Sequence, residues 1–115
     1  MSYLYDVLQN IYIFFQGWKT MFDVNVMGLC ICTREAVKLM REAGIDDGHI
    51  ININSVLGHI VKSMIAYCGT KHAVTALTEG LRQELLESKT HIRSTAISPG
   101  YVETEFYLKY VCESK

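Results

Sequence analysis

Residues 49–54 read His-Ile-Ile-Asn-Ile-Asn, residues 66–86 read Ala-Tyr-Cys-Gly-Thr-Lys-His-Ala-Val-Thr-Ala-Leu-Thr-Glu-Gly-Leu-Arg-Gln-Glu-Leu-Leu, and residues 92–97 read Ile-Arg-Ser-Thr-Ala-Ile. In the first run Ile50, Ile51 and Ile53 suit a buried strand, and the third is a second short strand stopped by Ser98-Pro99-Gly100. Between them Ala73, Leu77, Leu81 and Leu85 recur every fourth residue as a helical stripe, with His72, Thr75, Glu79, Arg82 and Gln83 largely off it. Strand, long helix, strand is a crossover unit, so the two strands are expected to be parallel neighbours or near neighbours.

Upstream, Asp46-Asp47-Gly48 makes a turn into the first strand, and Gly44 followed by Ile45 suits a left-handed helix stop with Arg41 in the last turn. Thr20-x-x-Asp23 has the form of a helix-opening capping box, with Asp in the Glu/Gln position. Behind it, Phe22, Val24, Val26, Met27, Leu29, Cys30, Ile31, Ala36, Val37, Leu39 and Met40 surround most of a helix, which predicts burial on more than one side over its first half. The expected order from about Trp18 to Gly100 is helix, strand, helix, strand. That is α/β architecture: part of a doubly wound, Rossmann-like parallel sheet, since complete ones carry helices on both faces and normally five or more strands.

Half of the 115 residues are apolar, enough for a core and the length of one domain. A net charge of −1 with mixed signs offers no attraction to nucleic acid or an anionic membrane. The cysteines at 30, 32, 68 and 112 form no Cys-x-x-Cys and have no matching His pair, so reduced thiols in a cytoplasmic protein are expected rather than a metal site or disulfide. Met1 to Phe15 shows no basic leader or cleavage site and falls short of the ~20 apolar residues of a membrane span.

Tyr67 and Lys71 are four apart at the start of the long helix, hence on one face. A phenol of pKa about 10 exchanges protons poorly at neutral pH unless a cation stabilises its anion, which Lys71 is placed to do. With seven tyrosines and seven lysines, roughly 0.4 such pairs arise by chance, so the pair needs support. Ser55 supplies it: the carboxyl end of a strand and the amino end of the next helix face the crevice where such sheets bind ligands. Asn25, inside Val24-Asn25-Val26-Met27, is an amide on an apolar helix and needs a partner. Pro99-Gly100 lies over the same sheet edge, where glycine lets backbone approach a ligand.

Taken in order, Asn25, Ile51-Asn52-Ile53-Asn54-Ser55, Tyr67-x-x-x-Lys71 and Ser98-Pro99-Gly100-Tyr101-Val102-x-Thr104 resemble the short-chain dehydrogenase/reductase superfamily, from about Gly17 to Phe106. Cys32 to Val37, Asp46 to Ile51 and Ala73 to Glu79 are most similar to an animal group holding family member eleven of the dehydrogenase/reductase series and insect farnesol dehydrogenases. The resemblance implies an NADP-dependent oxidoreductase, NAD remaining open, that moves a hydride between the nicotinamide and a small alcohol or carbonyl compound of steroid- or isoprenoid-like kind. It implies Tyr67 as general acid or base, Lys71 as the group lowering its pKa and binding the nicotinamide ribose, and Ser55 as the group orienting the substrate oxygen. By the same resemblance Asn25 holds a water that relays protons to Lys71, while Pro99, Gly100, Val102 and Thr104 hold the nicotinamide side of the cofactor. It further implies a homo-oligomer built through the two long helices.

The sequence departs from that pattern in three ways. It contains no Gly-x-x-x-Gly-x-Gly phosphate loop and no Asn-Asn-Ala-Gly segment, and residues 1–16 match nothing expected upstream of Trp18. Eleven residues separate Ser55 from Tyr67, a slightly shortened loop, and the chain ends soon after Thr104. Residues 1–16 are therefore read as a divergent segment and 17–115 as the carboxyl-side part of the domain, inactive alone. A non-catalytic remnant that acts as a protein-interaction subunit is the competing reading, and an unrelated α/β binding module a third.

Overall fold

The computed structural model describes residues 15–105; the segment 1–14 and Cys112 lie outside the described residues. Helix α1 (Phe15–Phe22) runs into a π-wound turn (Asp23–Gly28) and on into α2 (Leu29–Glu42), followed by strand β1 (His49–Ile53), a 3-10 turn (Val56–Gly58), helix α3 (Ile65–Glu87) and strand β2 (Arg93–Ile97). The strands pair in parallel, His49 opposite Arg93 through Ile53 opposite Ile97. Helix, strand, helix, strand with parallel strands is the expected order, and the chain is a mixed α/β unit.

The pleat sends alternate side chains to opposite faces. Ile50 and Asn52 turn inward under α3, while Ile51 and Ile53 of β1 and Ile97 of β2 are exposed on the other face. α3 meets the sheet through Thr78, and Thr70 and Val74, one turn apart on the same side of the helix, are fully buried. Threonine can face a core here because its hydroxyl is satisfied within its own helix: Thr70 Oγ1 donates to Tyr67 O at 2.8 Å and Thr78 Oγ1 to Val74 O at 2.8 Å. Asn52 Nδ2 then donates to Thr78 Oγ1 at 3.0 Å, and Ser94 Oγ to Thr78 O at 3.1 Å. Leu77, Leu81 and Leu85 instead line a groove of about 710 Å3 between α3 and α2, opposite Leu29 and Val37.

Two expectations for the first helix are corrected. Thr20 does not open a helix: it lies inside α1, which already runs from Phe15, and Asp23 pairs with Lys19 at 2.6 Å one turn back. Nor is the helix enclosed on several sides, since no residue of the π-wound turn or of α2 is buried and Val24, Met27, Ile31 and Leu39 are exposed. Among the described residues only α3 and one strand pair lie within reach to cover it. The stop is as read: Gly44 takes φ 69°, Arg41 sits in the last turn, and Ile45 N donates to Met40 O at 2.8 Å.

At the amino edge of the sheet, His91 donates from its backbone to Asp46 O at 3.0 Å, and its ring nitrogen Nδ1 pairs with the Asp46 carboxylate. This ties the turns that enter the two strands. No helix among the described residues is long and apolar enough to cross a membrane.

Candidate active site

The opposite, carboxyl edge gathers Ser55, Tyr67 and Lys71. Past the last strand pair, Asn54 N donates to Ile97 O at 2.7 Å and Val56 N to Pro99 O at 3.0 Å, so the two exit loops run side by side. Ser55 is extended (φ −158°, ψ 157°) and buried, and its Oγ accepts from Leu57 N at 3.1 Å, capping the 3-10 turn. That contact uses a lone pair and leaves the hydroxyl proton to donate elsewhere.

Tyr67 stands half-buried in the first turn of α3, and Lys71 follows one turn on. Lys71 Nζ donates to Ile53 O, the last carbonyl of β1, at 3.1 Å and lies 5.7 Å from the centroid of the Tyr67 ring. That is cation–π range, and the ammonium keeps two further protons to give. Partial burial pushes the Lys71 pKa below the usual lysine range. Ser55, two residues beyond the carbonyl that Lys71 grips, therefore shares this edge with the Tyr67–Lys71 pair.

Asn25 falls within the π-wound turn, a local geometry that often accompanies function. Its Nδ2 donates to Thr70 Oγ1 at 3.2 Å, which brings it to the neighbour of Lys71 rather than to the ammonium itself. Thr70 thereby links Asn25 to the turn of α3 that bears Tyr67 and Lys71. Pro99 is joined to the Ser55 turn through its carbonyl, and Ser98 Oγ meets His59 Nε2 at 3.0 Å. Gly100, Val102 and Thr104 follow, exposed. Gly100 has neither a left-handed φ nor a neighbour within 4 Å of an added Cβ, so nothing among the described residues requires a glycine there.

Four residues here were not read from the sequence: Asn54, Gly58, Thr70 and Thr75. Asn54 Nδ2 donates to Thr75 Oγ1 at 2.8 Å, and Thr75 Oγ1 donates to Gly58 O at 2.8 Å, with Lys71 O a second acceptor at 3.2 Å. The available signal was Asn52 and Asn54, two amides at period two on the inward face of an apolar strand, each of which demands a polar partner on the covering helix. No group of three or more His, Cys, Asp or Glu among the described residues is placed to hold a metal.

Ser55, Tyr67 and Lys71 thus stand together at the carboxyl edge of a parallel strand–helix–strand unit. The chain belongs to the short chain dehydrogenase family, whose model matches residues 13–111. It is 68% identical over 96 residues to dehydrogenase/reductase SDR family member 11 of Mus musculus, covering 81% of this chain and 37% of that protein. It is 44% identical over 102 residues to farnesol dehydrogenase of Aedes aegypti, covering 85% of this chain and 41% of the mosquito protein. Among solved structures it is similar to a 4-hydroxyisoleucine dehydrogenase mutant complexed with NADH and succinate (TM-score 0.73, 38% identity, 83% of this chain, 38% of that one). It is likewise similar to ElxO with NADP bound (TM-score 0.71, 31% identity, 87% of this chain, 39% of that one). The chain thus spans about two fifths of the length of the relatives it matches.

Proposed function

We propose that this chain carries the proton-handling and nicotinamide-side part of an NAD(P)-dependent oxidoreductase acting on an alcohol or ketone. The observation that carries the reading is the Lys71 ammonium, tied to the end of β1 at 3.1 Å and lying 5.7 Å from the Tyr67 ring centroid, beside a buried serine with a proton to donate. The family membership and the NADH- and NADP-bound neighbours support it.

The donor set fits the nicotinamide end of such a cofactor: Lys71 retains two ammonium protons for ribose hydroxyls, and the loop from Pro99 through Val102 and Thr104 offers backbone and hydroxyl groups beside it. It does not fit the pyrophosphate, because the sequence has no glycine-rich turn opening a helix. When bound, the cofactor supplies or accepts the hydride. In carbonyl reduction Tyr67 gives its phenolic proton to the substrate oxygen, and in alcohol oxidation it takes that proton back. Lys71 stabilises the phenolate by its charge. Ser55 donates a hydrogen bond to the same oxygen and fixes its direction. Asn25, reaching this turn of α3 through Thr70, holds the water by which Lys71 exchanges protons with solvent. Steroid- or isoprenoid-like alcohols are the proposed substrate class, the isoprenoid part supported by the farnesol dehydrogenase relative, and NADP is the proposed cofactor with NAD open.

The groove between α2 and α3, and the exposed Ile31 and Leu39, favour self-association through the two long helices. The same exposure would serve a non-catalytic interaction subunit, so turnover decides. In a protein carrying this chain together with a dinucleotide-binding half, Tyr67→Phe is expected to cut turnover of a ketone to well under about a tenth while cofactor binding persists. Retained turnover above that level rejects the assignment.

A further inference from the structure

Asn54 sits between the two residues that matter most at this edge: Ile53, whose carbonyl holds Lys71, and Ser55. Its side chain is 2% exposed, and its Nδ2 reaches Thr75 at 2.8 Å. Thr75 in turn holds the 3-10 turn by Gly58 O at 2.8 Å and touches Lys71 O at 3.2 Å. One hydroxyl thus joins the strand end, the serine-bearing turn and the lysine-bearing turn of α3. We infer that Asn54 is a positioning residue: through Thr75 it clamps the Ser55 turn to α3 and so sets where the Lys71 ammonium lies. This rests on the proposed roles of Ser55 and Lys71.

Stability alone does not account for an asparagine at this position. Asn54 Oδ1 is buried and has no hydrogen-bond partner, a cost that an apolar side chain of similar size would avoid. What the amide provides, and leucine would not, is the directed bond to Thr75. Gly58 makes the clamp close: a Cβ there would stand 2.7 Å from Lys71 O and 2.5 Å from Asn54 Oδ1, so turn and helix meet with only the Asn54 amide beside them. Ser55, Lys71 and Thr75 are thereby held across a gap filled by backbone, the Asn54 amide and one hydroxyl.

The test follows Lys71 itself in the full chain, by nuclear magnetic resonance of its side-chain carbon and nitrogen during a pH titration. Loosening the clamp admits water to the ammonium, so Thr75→Val and Asn54→Ala should each raise the Lys71 midpoint by about half a unit or more. Thr75→Ser, which keeps the hydroxyl, should leave it within about 0.2 unit of wild type. The double variant should move it no further than Thr75→Val alone, since that change already deletes the Asn54–Thr75 bond together with the bond to Gly58 O. Methyl signals of the fully buried Val74 report whether the core is intact. If Thr75→Val loses them, Asn54→Ala judged against Thr75→Ser decides the matter. An unmoved Lys71 with Val74 intact, or shifts that add in the double variant, overturns the inference. The readout needs no turnover, so an active Tyr67→Phe enzyme would reject the proposed chemistry and leave the clamp standing.

Discussion

Replacing Gly58 by alanine would put one methyl group where its surroundings cannot yield. The new carbon would lie 2.5 Å from Asn54 Oδ1, 2.9 Å from Asn54 Nδ2 and 2.7 Å from the carbonyl oxygen of Lys71. The amide could rotate away only by giving up Thr75, and the carbonyl belongs to the backbone of α3. The 3-10 turn would therefore have to retreat by roughly 0.7 Å to restore ordinary contact, which strains or breaks the 2.8 Å bond from Thr75 to Gly58 O. Overpacking of this kind costs about 1–3 kcal/mol, and a lost hydrogen bond adds about 1 kcal/mol. A total of about 2–4 kcal/mol is a large share of the ~5–15 kcal/mol that holds a domain folded. Urea unfolding followed by far-ultraviolet circular dichroism should show a midpoint lower by roughly 1 M or more with an unchanged slope. Gly80→Ala is the internal comparison: that glycine lies within α3 with nothing within 4 Å of an added Cβ, so alanine should stabilise by ~0.5–1 kcal/mol. A Gly58→Ala midpoint at or above wild type, with Gly80→Ala behaving as stated, would refute the close approach of turn and helix.

Thr78→Val leaves the buried Asn52 amide without its acceptor and should cost ~1–3 kcal/mol, most of it recovered when Asn52→Leu is added; urea midpoints of the three variants check this. The Asp46 carboxylate holds His91 above the usual histidine value, and His91 holds Asp46 below the usual carboxylate range. The histidine part of the mutual stabilisation is complete below its unfolded value and fades as pH rises through the raised one; the aspartate part is complete above its unfolded value and fades as pH falls through the depressed one. The link should therefore be strongest in the mildly acidic range between them, with the His91 ring signals titrating high and Asp46→Asn moving them down toward the usual value, Asp47 remaining nearby. A titration of His91 unaffected by Asp46→Asn would count against the pair. Titration of the chain by itself with NADPH, followed by ligand fluorescence, should show no saturable binding at low micromolar concentration, because the backbone N–H groups that receive a pyrophosphate are missing from its sequence. Saturable binding would show that phosphate contacts are dispensable here.

The parts legible in the sequence were those written in period and punctuation. Ile50 to Ile53 and Ile92 to Ile97, flanked by Gly48 and Pro99, announced two strands, and the spacing of Tyr67, Lys71 and Ser55 announced the edge they share. What escaped reading depended on side chains that satisfy themselves in ways composition hides. Thr70 and Thr78 look like surface residues until their hydroxyls find carbonyls of their own helix, and the apolar spacing of Leu77 and Leu81 does not say that they face α2. Thr20 and Asp23 match a cap in letters, yet a cap exists only where backbone N–H groups lack partners, and α1 begins upstream. The clamp at Asn54 was out of reach for a related reason: it joins residues on three elements, and only the parallel register brings them together.

The π-wound turn at Asp23–Gly28 also acts as a phase shifter for everything before it. Each residue of an α-helix advances the chain by about 100°, and a widened turn absorbs an extra residue without breaking the rod. Were the same six residues wound as ordinary α-helix instead, α1 would swing by roughly 100° relative to α3. Phe22, whose Cζ lies 3.6 Å from where a Cβ on Gly69 would be, would then point elsewhere, and Asn25 would lose its bearing on Thr70. The wide turn and the extra residue thus cancel: residue number and winding between 23 and 28 have to match for α1 to keep its face toward α3.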